Sequence, residues 1–135
     1  MSSSILSSEY VTDTMALVLY LENRRSSQIV SQIFEAADSG DVTLHSPTIV
    51  FAEILYLSEK GRISLTLSYL KNHLAAHQSY IQLPLSFEIV HNASSISDIP
   101  ELHDRLIASS ANFADLELIT NDPKIQNSAF VKTIW

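Results

Sequence analysis

The fold is decided by the segment Glu9-Tyr-Val-Thr-Asp-Thr-Met-Ala-Leu-Val-Leu-Tyr-Leu21. Four residues of mixed polarity lead to Asp13, and a mainly apolar run follows it. We predict a strand over residues 9–12 and a helix over residues 15–21. The same alternation continues along the chain. Further helices are predicted over residues 26–37, 47–59, 64–77, 86–91 and 101–113, and further strands over residues 42–44, 80–83, 116–120 and 130–134. Alternating strands and helices predict an α/β fold with a central, mostly parallel sheet and helices on both faces.

Two of these helices carry recognisable start signals. Ser46 suits an N-cap and Pro47 the first helical position, so the sequence predicts that a helix begins there and ends before Lys60-Gly61. Asp98 and Glu101 are spaced as in a capping box, which predicts Asp98 as the cap of the helix that follows.

Length and composition indicate one folded domain. We expect residues 9–135 to form it and the serine-rich residues 1–8 to be a flexible N-terminal segment, because 46% of the 135 residues are hydrophobic and 17% are charged. There is no cysteine, so disulfides and thiolate metal sites are excluded. The start lacks the basic region of a secretory signal, and no apolar run is long enough to cross a bilayer. We therefore expect a cytoplasmic protein.

The net charge of −7, with only eight lysines and arginines, argues against ordinary binding of nucleic acid through a basic patch. If the substrate is a nucleic acid, something other than the charge of the protein must receive the phosphate. A metal ion held by clustered carboxylates would do so.

Four acidic residues stand where charge is costly or where a site is expected. Asp13 follows a strand, at the edge where open α/β sheets bind ligands, although it also suits the N-cap of the next helix. Glu53 interrupts the apolar helix Ile49-Val-Phe-Ala-Glu-Ile-Leu-Tyr-Leu57, where a carboxylate is buried only when it is paired or metal-bound; the alternative is a narrow solvent-facing stripe or a salt bridge.

Asp104 and Asp122 complete the set. Asp104 lies near the start of a helix, where the dipole alone favours an acid, and Asp122 follows a strand in Thr-Asn-Asp-Pro, where a turn is the alternative. Four carboxylates facing one crevice repel one another, and a cation relieves that repulsion. Hard oxygen ligands select Mg²⁺ or Mn²⁺, which can activate water, contact a phosphate oxygen and stabilise a leaving 3′-oxygen.

Several motifs match a known family in order and spacing. They are Tyr10-Val-Thr-Asp-Thr14, Ser46-Pro-Thr-Ile-Val-Phe-Ala-Glu53, Asp104-Arg-Leu-Ile-Ala-Ser-Ser-Ala111 and Leu118-Ile-Thr-Asn-Asp122. From about residue 10 to residue 135, the chain resembles PIN domains, specifically the VapC-like toxins of bacterial type II toxin–antitoxin pairs. One departure is Asp115, which stands where the family usually has glycine.

The resemblance implies a PIN-like fold and endonucleolytic cleavage of single-stranded RNA by a metal-activated water. It implies Mg²⁺ or Mn²⁺ held by four acids, with two hydroxyl residues lining the site. The acids are Asp13, Glu53, Asp104 and Asp122, and the hydroxyl residues are Thr14 and Thr120. Implied partners are the RNA substrate, a cognate VapB-like antitoxin and a second copy of the chain, with no membrane. Arg105 is a further candidate for contacting substrate phosphate, or for neutralising a nearby carboxylate.

Other histidines and other functions are weaker candidates. His73 and His77 have metal-ligand spacing, but no third ligand is evident in the sequence, so we expect a solvated helix face. His103 adjoins Asp104 and is a candidate for lining the site, although it is expected to point about 100° away on the helix. A phospho-acceptor signalling domain is disfavoured because the strand at residues 80–83 ends in Pro84 without an acid. A PIN fold used only for RNA binding or assembly remains the alternative, although such a protein should have lost site acids and none is missing.

Overall fold

The computed structural model describes residues 7–135, which form a five-stranded, entirely parallel sheet with helices between the strands. The strands are β1 (Glu9–Thr12), β2 (Thr43–Pro47), β3 (Tyr80–Leu83), β4 (Leu118–Ile119) and β5 (Thr133–Ile134). The helices are α1 (Thr14–Leu21), α2 (Gln28–Asp38), α3 (Thr48–Glu59), α4 (Leu67–Ala76), α5 (Phe87–Ala93), α6 (Leu102–Ala114) and α7 (Pro123–Gln126). The predicted α/β class is confirmed.

The strand order is β3-β2-β1-β4-β5, so the chain winds outward from β1 in one direction and then returns to its other side. Val11 is in register with Leu118 and Thr12 with Ile119, which sets the carboxyl ends of β1 and β4 side by side. In open α/β sheets the ligand crevice lies where the strand order reverses, outside the carboxyl ends of the strands. The topology therefore points to the edge where β1 and β4 end.

The core lies between the sheet and the helices packed on it. Parallel strands covered on both faces need apolar residues on both sides, and β1, β2 and β4 supply them. The helices contribute apolar positions at helical spacing, as Ile33 and Ala37 of α2 show. Fully buried side chains include Tyr10, Val11, Leu17, Ile33, Phe34, Leu44, Ile54, Leu118 and Ile119.

The predicted start of α3 is wrong, because the residues assigned to its first turn belong to a strand. Ser46 and Pro47 belong to β2, and α3 begins at Thr48 with no side-chain cap. Pairing with β3 outweighs the local helix signal, because β2 continues in parallel register through Pro47 opposite Leu83. The Thr48 hydroxyl then donates to the carbonyl oxygen of Leu83 at 3.1 Å, which fixes the transition from strand to helix.

The predicted cap of α6 is also wrong. Glu101, not Asp98, is the N-cap, and its carboxylate accepts a hydrogen bond from Asp104 N at 2.8 Å. Asp98 instead accepts hydrogen bonds from Ser128 Oγ and Ala129 N, both at 2.8 Å. It therefore ties the start of this helix to the loop before β5, a contact across about thirty residues that the local motif does not reveal.

The last two strands are shorter than predicted, and the short helix α7 takes up the predicted loop after β4. The prediction of a flexible segment at residues 1–8 falls mostly on residues 1–6, which lie outside the described residues. In the described part of the chain, the helices are too short or too polar for any of them to cross a membrane.

Candidate metal centre

Asp13 lies at the carboxyl end of β1 and is the most buried of the four candidate acids. It is the N-cap of α1, where its Oδ1 accepts a hydrogen bond from Ala16 N at 2.8 Å. The Thr120 side chain also hydrogen-bonds to it, and its own backbone N–H donates to the Ile119 carbonyl oxygen at 3.1 Å. The cap and the crevice position that the sequence suggested for Asp13 therefore coexist. Only 7% of the residue is exposed.

Asp122 lies beyond the end of β4, next to the end of β1. Its backbone N–H donates to Thr120 Oγ1 at 3.1 Å, and its Oδ1 accepts from Lys124 N at 2.9 Å as the cap of α7. Thr120 is fully buried and links the Asp13 side chain to the backbone N–H of Asp122.

Glu53 and Asp104 reach the same crevice from helices. Glu53 is on α3 and accepts a hydrogen bond from the hydroxyl of Thr14, the first residue of α1. Asp104 is in the first turn of α6. All four acids line a single cavity of 860 Å³. Its wall also includes Thr14, Met15, Ile49, Ala52, Tyr56, Leu57, His103, Ile107, Asn121, Pro123 and Ile125.

Burial and neighbouring negative charges raise the pKa values of two of these acids, and the positive charge of Lys124 partly opposes the rise at Asp104. Burial raises the pKa of Asp13 from its ordinary 3.8 to about 6, and the charges of Asp122 and Glu53 add to the rise against the hydrogen bonds from Thr120 and Ala16. Burial likewise raises the pKa of Asp104, with the negative charges of Asp122, Glu101 and Glu53 contributing. Within residues 7–135, no lysine or arginine forms an ion pair with any of the four.

This donor set fits a hard divalent cation. Carboxylate oxygens are the ligands that Mg²⁺ and Mn²⁺ prefer, and a cation would relieve the repulsion that raises the two pKa values. The cavity is also wide enough to admit a substrate beside an ion, since ligand pockets commonly measure about 300–1,000 Å³. Asp13, Glu53, Asp104 and Asp122 are the residues that could hold the ion.

The other predicted site residues divide into two groups. Thr14 and Thr120 contact the acids: the Thr14 hydroxyl hydrogen-bonds to Glu53, and the Thr120 side chain hydrogen-bonds to Asp13. Arg105 is not among the residues that line the cavity, and its Nε is buried with no hydrogen-bond partner. His103, expected to point away, instead lines the cavity with its Nδ1 3.9 Å from Glu53 and 3.3 Å from Glu101. Of the two alternatives for His103, the structure supports the one in which its half-exposed side chain lines the site.

For Glu53, the sequence left open a buried carboxylate and a narrow solvent-facing stripe or salt bridge, and its side chain is 27% exposed. The helix α3 is only partly covered, since Leu55 and Tyr56 are exposed on it. An apolar helix need not be a buried one, and the strand-end position of Asp13 proved the better indicator of burial.

His73 and His77 do not form a solvated face. The His73 side chain is 14% exposed, and its Nε2 lies 2.9 Å from Oδ1 of Asp38, the last residue of α2. The two histidine rings stack with centroids 4.1 Å apart. The acidic side chain that joins them, which the sequence did not reveal, is Asp38 from another helix, and the three residues form a group that could hold a metal ion.

Comparison with known proteins places the chain in a family. The model of the PIN domain matches residues 10–131, and the chain belongs to the PIN-domain family. A search of curated proteins by sequence finds no match.

Solved structures share the fold at low sequence identity. VapBC2 from Rickettsia felis, bound to a DNA fragment from its promoter, matches with a TM-score of 0.71 at 19% identity, over 93% of this chain and 97% of that one. A toxin–antitoxin complex from Klebsiella pneumoniae gives 0.65 at 17%, over 93% and 96%. DNA-bound VapBC from Salmonella typhimurium gives 0.67 at 16%, over 95% and 98%.

Proposed function

We propose that this PIN-domain protein is a metal-dependent endoribonuclease and the toxin of a VapBC-type toxin–antitoxin pair. The observation that carries the proposal is the cluster of Asp13, Glu53, Asp104 and Asp122 in one cavity at the point where the strand order reverses. No acid of the motif is missing, which favours catalysis over a PIN fold that only binds RNA or assembles. The similar fold of the VapBC structures supports the toxin assignment.

The four acids would hold Mg²⁺ or Mn²⁺. When bound, such an ion supplies an activated water and positive charge for the phosphate oxygens and the leaving 3′-oxygen. The cation also answers the difficulty posed by the net charge of −7, because the phosphate would meet the ion rather than the protein's own charge.

The chain's own contribution is to fix the acids before substrate arrives. Asp13 is held by Ala16 N–H and by Thr120, and Glu53 is held by the Thr14 hydroxyl. Partners of this kind orient metal ligands and lower the cost of assembling the site. We assign Thr14 and Thr120 to the site wall near the substrate. Arg105 retains its proposed phosphate role only if substrate binding moves it, since it lies outside the cavity wall.

Tyr56 supports a single-stranded substrate. It lines the cavity, it is 52% exposed, and Lys60 Nζ lies 5.6 Å from its ring centroid. An exposed aromatic ring with a nearby cation can stack an unpaired base and meet its phosphate, whereas bases inside a duplex are not available for stacking.

Exposed apolar side chains support protein partners. Phe87 of α5 is 75% exposed, and Leu102 and Phe113 of α6 are 55% and 54% exposed. Large exposed apolar groups mark interaction surfaces. We propose that a VapB-like antitoxin and a second copy of the chain cover such surfaces, and that the pair acts in the cytoplasm, where its RNA is.

The proposal is tested with purified protein and a panel of single-stranded and duplex RNAs. Cleavage of single-stranded RNA with Mg²⁺ or Mn²⁺, abolished by EDTA, is expected. Binding without cleavage under all metal conditions would instead favour the non-catalytic alternative, and equal cleavage in EDTA would overturn the metal-site assignment. Copurification of a small antitoxin encoded beside this gene would test the toxin assignment separately.

A further inference from the structure

A second cluster of metal-ligating side chains lies away from the four acids. Asp38 ends α2, while His73 lies in the last turn of α4 and His77 is the C-cap of α4. Tyr80, the first residue of β3, follows them directly. Because Asp38 precedes β2 and His77 precedes β3, this cluster lies at the amino-terminal edge of the sheet, opposite the strand ends that carry Asp13 and Asp122.

The three ligand atoms are already gathered. One atom from each of Asp38, His73 and His77 lies within 4.8 Å of the others, and His73 Nε2 lies 2.9 Å from Asp38 Oδ1. Ligand atoms around a tetrahedral zinc ion with bonds of about 2.0–2.2 Å are roughly 3.3–3.6 Å apart. Any separation between these atoms must therefore shrink by at most about 1.5 Å to reach the geometry of one zinc ion.

The hydrogen bonds around the cluster also prepare the ligands. His77 Nδ1 lies 2.8 Å from the carbonyl oxygen of His73, so Nδ1–H donates there and Nε2 keeps its lone pair. A ligating histidine typically has its other ring nitrogen fixed in this way. The Asp38 carboxylate accepts from the hydroxyls of Tyr20 at 2.5 Å and Tyr80 at 2.8 Å.

The Asp38 carboxylate is fixed in place by contacts with the hydroxyls of Tyr20 and Tyr80 and with Nε2 of His73. Two imidazoles and one carboxylate, leaving an open position for water, make a donor set that suits zinc and related first-row ions rather than Mg²⁺.

We propose that Asp38, His73 and His77 form a second metal site, which binds a divalent transition metal such as Zn²⁺ independently of the acidic cavity. The ion would join the end of α2 to the end of α4, two elements that are 35 residues apart in sequence at the Asp38–His73 contact. The site is a structural clamp on α4, and Tyr20 and Tyr80 orient its carboxylate.

Calorimetric titration of metal-free protein with Zn²⁺ tests the site, with excess Mg²⁺ present to occupy the acidic cavity. Wild type should bind one Zn²⁺ there. His77→Gln should lose that event or weaken it by at least about tenfold, because one of three protein ligands is gone. His91→Gln, at an exposed histidine on α5, is the matched control and should bind as wild type does. Equal Zn²⁺ binding by all three proteins would overturn the proposal.

A second measurement needs no variant. In wild type, NMR signals of the histidine rings should respond to one equivalent of Zn²⁺ at His73 and His77 and stay unchanged at His45 and His91. The proposal fails if the His73 and His77 signals do not respond, or if all four rings respond alike.

Discussion

The hydroxyl of Thr14 donates a hydrogen bond to Oε1 of Glu53, and this contact joins the first residue of α1 to the middle of α3. Thr14 directly follows Asp13, so one short segment sets the positions of two candidate ligands. The residues are 39 apart in sequence. The acidic centre is therefore a product of how α3 packs beside α1, and not only of the strand ends.

Replacing Thr14 by valine should weaken the metal centre. The shape is kept while the hydrogen bond to Glu53 is lost, and removal of such an outer partner typically costs about 10–100-fold in metal affinity or activity. Thr14→Ser retains a hydroxyl and should stay near wild type. Calorimetric Mn²⁺ titration compares the three proteins. Equal affinity of the valine and serine variants would show that Thr14 does not position Glu53.

The raised pKa of Asp13 predicts a pH-dependent stability in metal-free protein. Because its folded-state pKa of about 6 lies above the ordinary 3.8, folding favours the protonated form. That contribution is fully present below about pH 3.8 and is lost as the pH rises through 6. Asp13→Asn, which stays neutral and can keep the cap, should therefore gain stability relative to wild type between pH 4 and 7, by up to about 3 kcal/mol.

Urea denaturation in EDTA at pH 4, 5.5 and 7 measures this difference. Glu59→Gln, at an exposed position on α3, is the control and should follow wild type at each pH. A stability difference between Asp13→Asn and wild type that stays constant across this range would contradict the shifted pKa.

Tyr56→Ala should weaken binding of single-stranded RNA by about 5- to 150-fold, since base stacking on an aromatic ring is worth about 1–3 kcal/mol. Tyr69→Ala removes a similarly exposed ring from α4, outside the acidic cavity, and should have little effect. Fluorescence anisotropy with a short labelled RNA, in a cleavage-deficient Asp104→Asn background with Mg²⁺ present, reports the affinity. If the two variants weaken binding equally, Tyr56 is not a stacking platform.

Replacing Asp115 by glycine should increase the stability of the fold. It ends α6 in the left-handed conformation, with φ 56° and ψ 46°, where the family usually has glycine. Glycine adopts this conformation without steric cost, so Asp115→Gly should stabilise the fold by about 0.5–1 kcal/mol, and Asp115→Ala should destabilise it. Chemical denaturation of the two variants checks the order, and a less stable glycine variant would contradict it.

Much of the fold was predictable because it rests on local patterns. The strand at Glu9–Thr12 and the alternation of strands with helices follow from apolar spacing, and they suffice to place Asp13 and Asp122 at one sheet edge. Asp115, which stands where the family usually has glycine, lies in the left-handed conformation that glycine favours.

What the sequence could not predict depends on contacts between distant segments. The start signal at Ser46 was overridden by pairing of β2 with β3, and Asp98 serves a loop thirty residues away instead of its own helix. The ligand that completes the pair of His73 and His77 comes from α2. None of these has a signature at short range, because each is created by tertiary packing.

The central claim is that the four acids make one metal centre that cuts RNA, and Asp104→Asn tests it most directly. In the described part of the chain the Asp104 carboxylate makes no hydrogen bond or ion pair, so the substitution removes charge with little structural cost. The measurement is the single-turnover rate of RNA cleavage at fixed Mn²⁺, with Glu59→Gln as the charge-matched control. We predict that Asp104→Asn loses at least about 100-fold in rate while Glu59→Gln cuts as wild type does. Cleavage by Asp104→Asn at the wild-type rate would contradict the account.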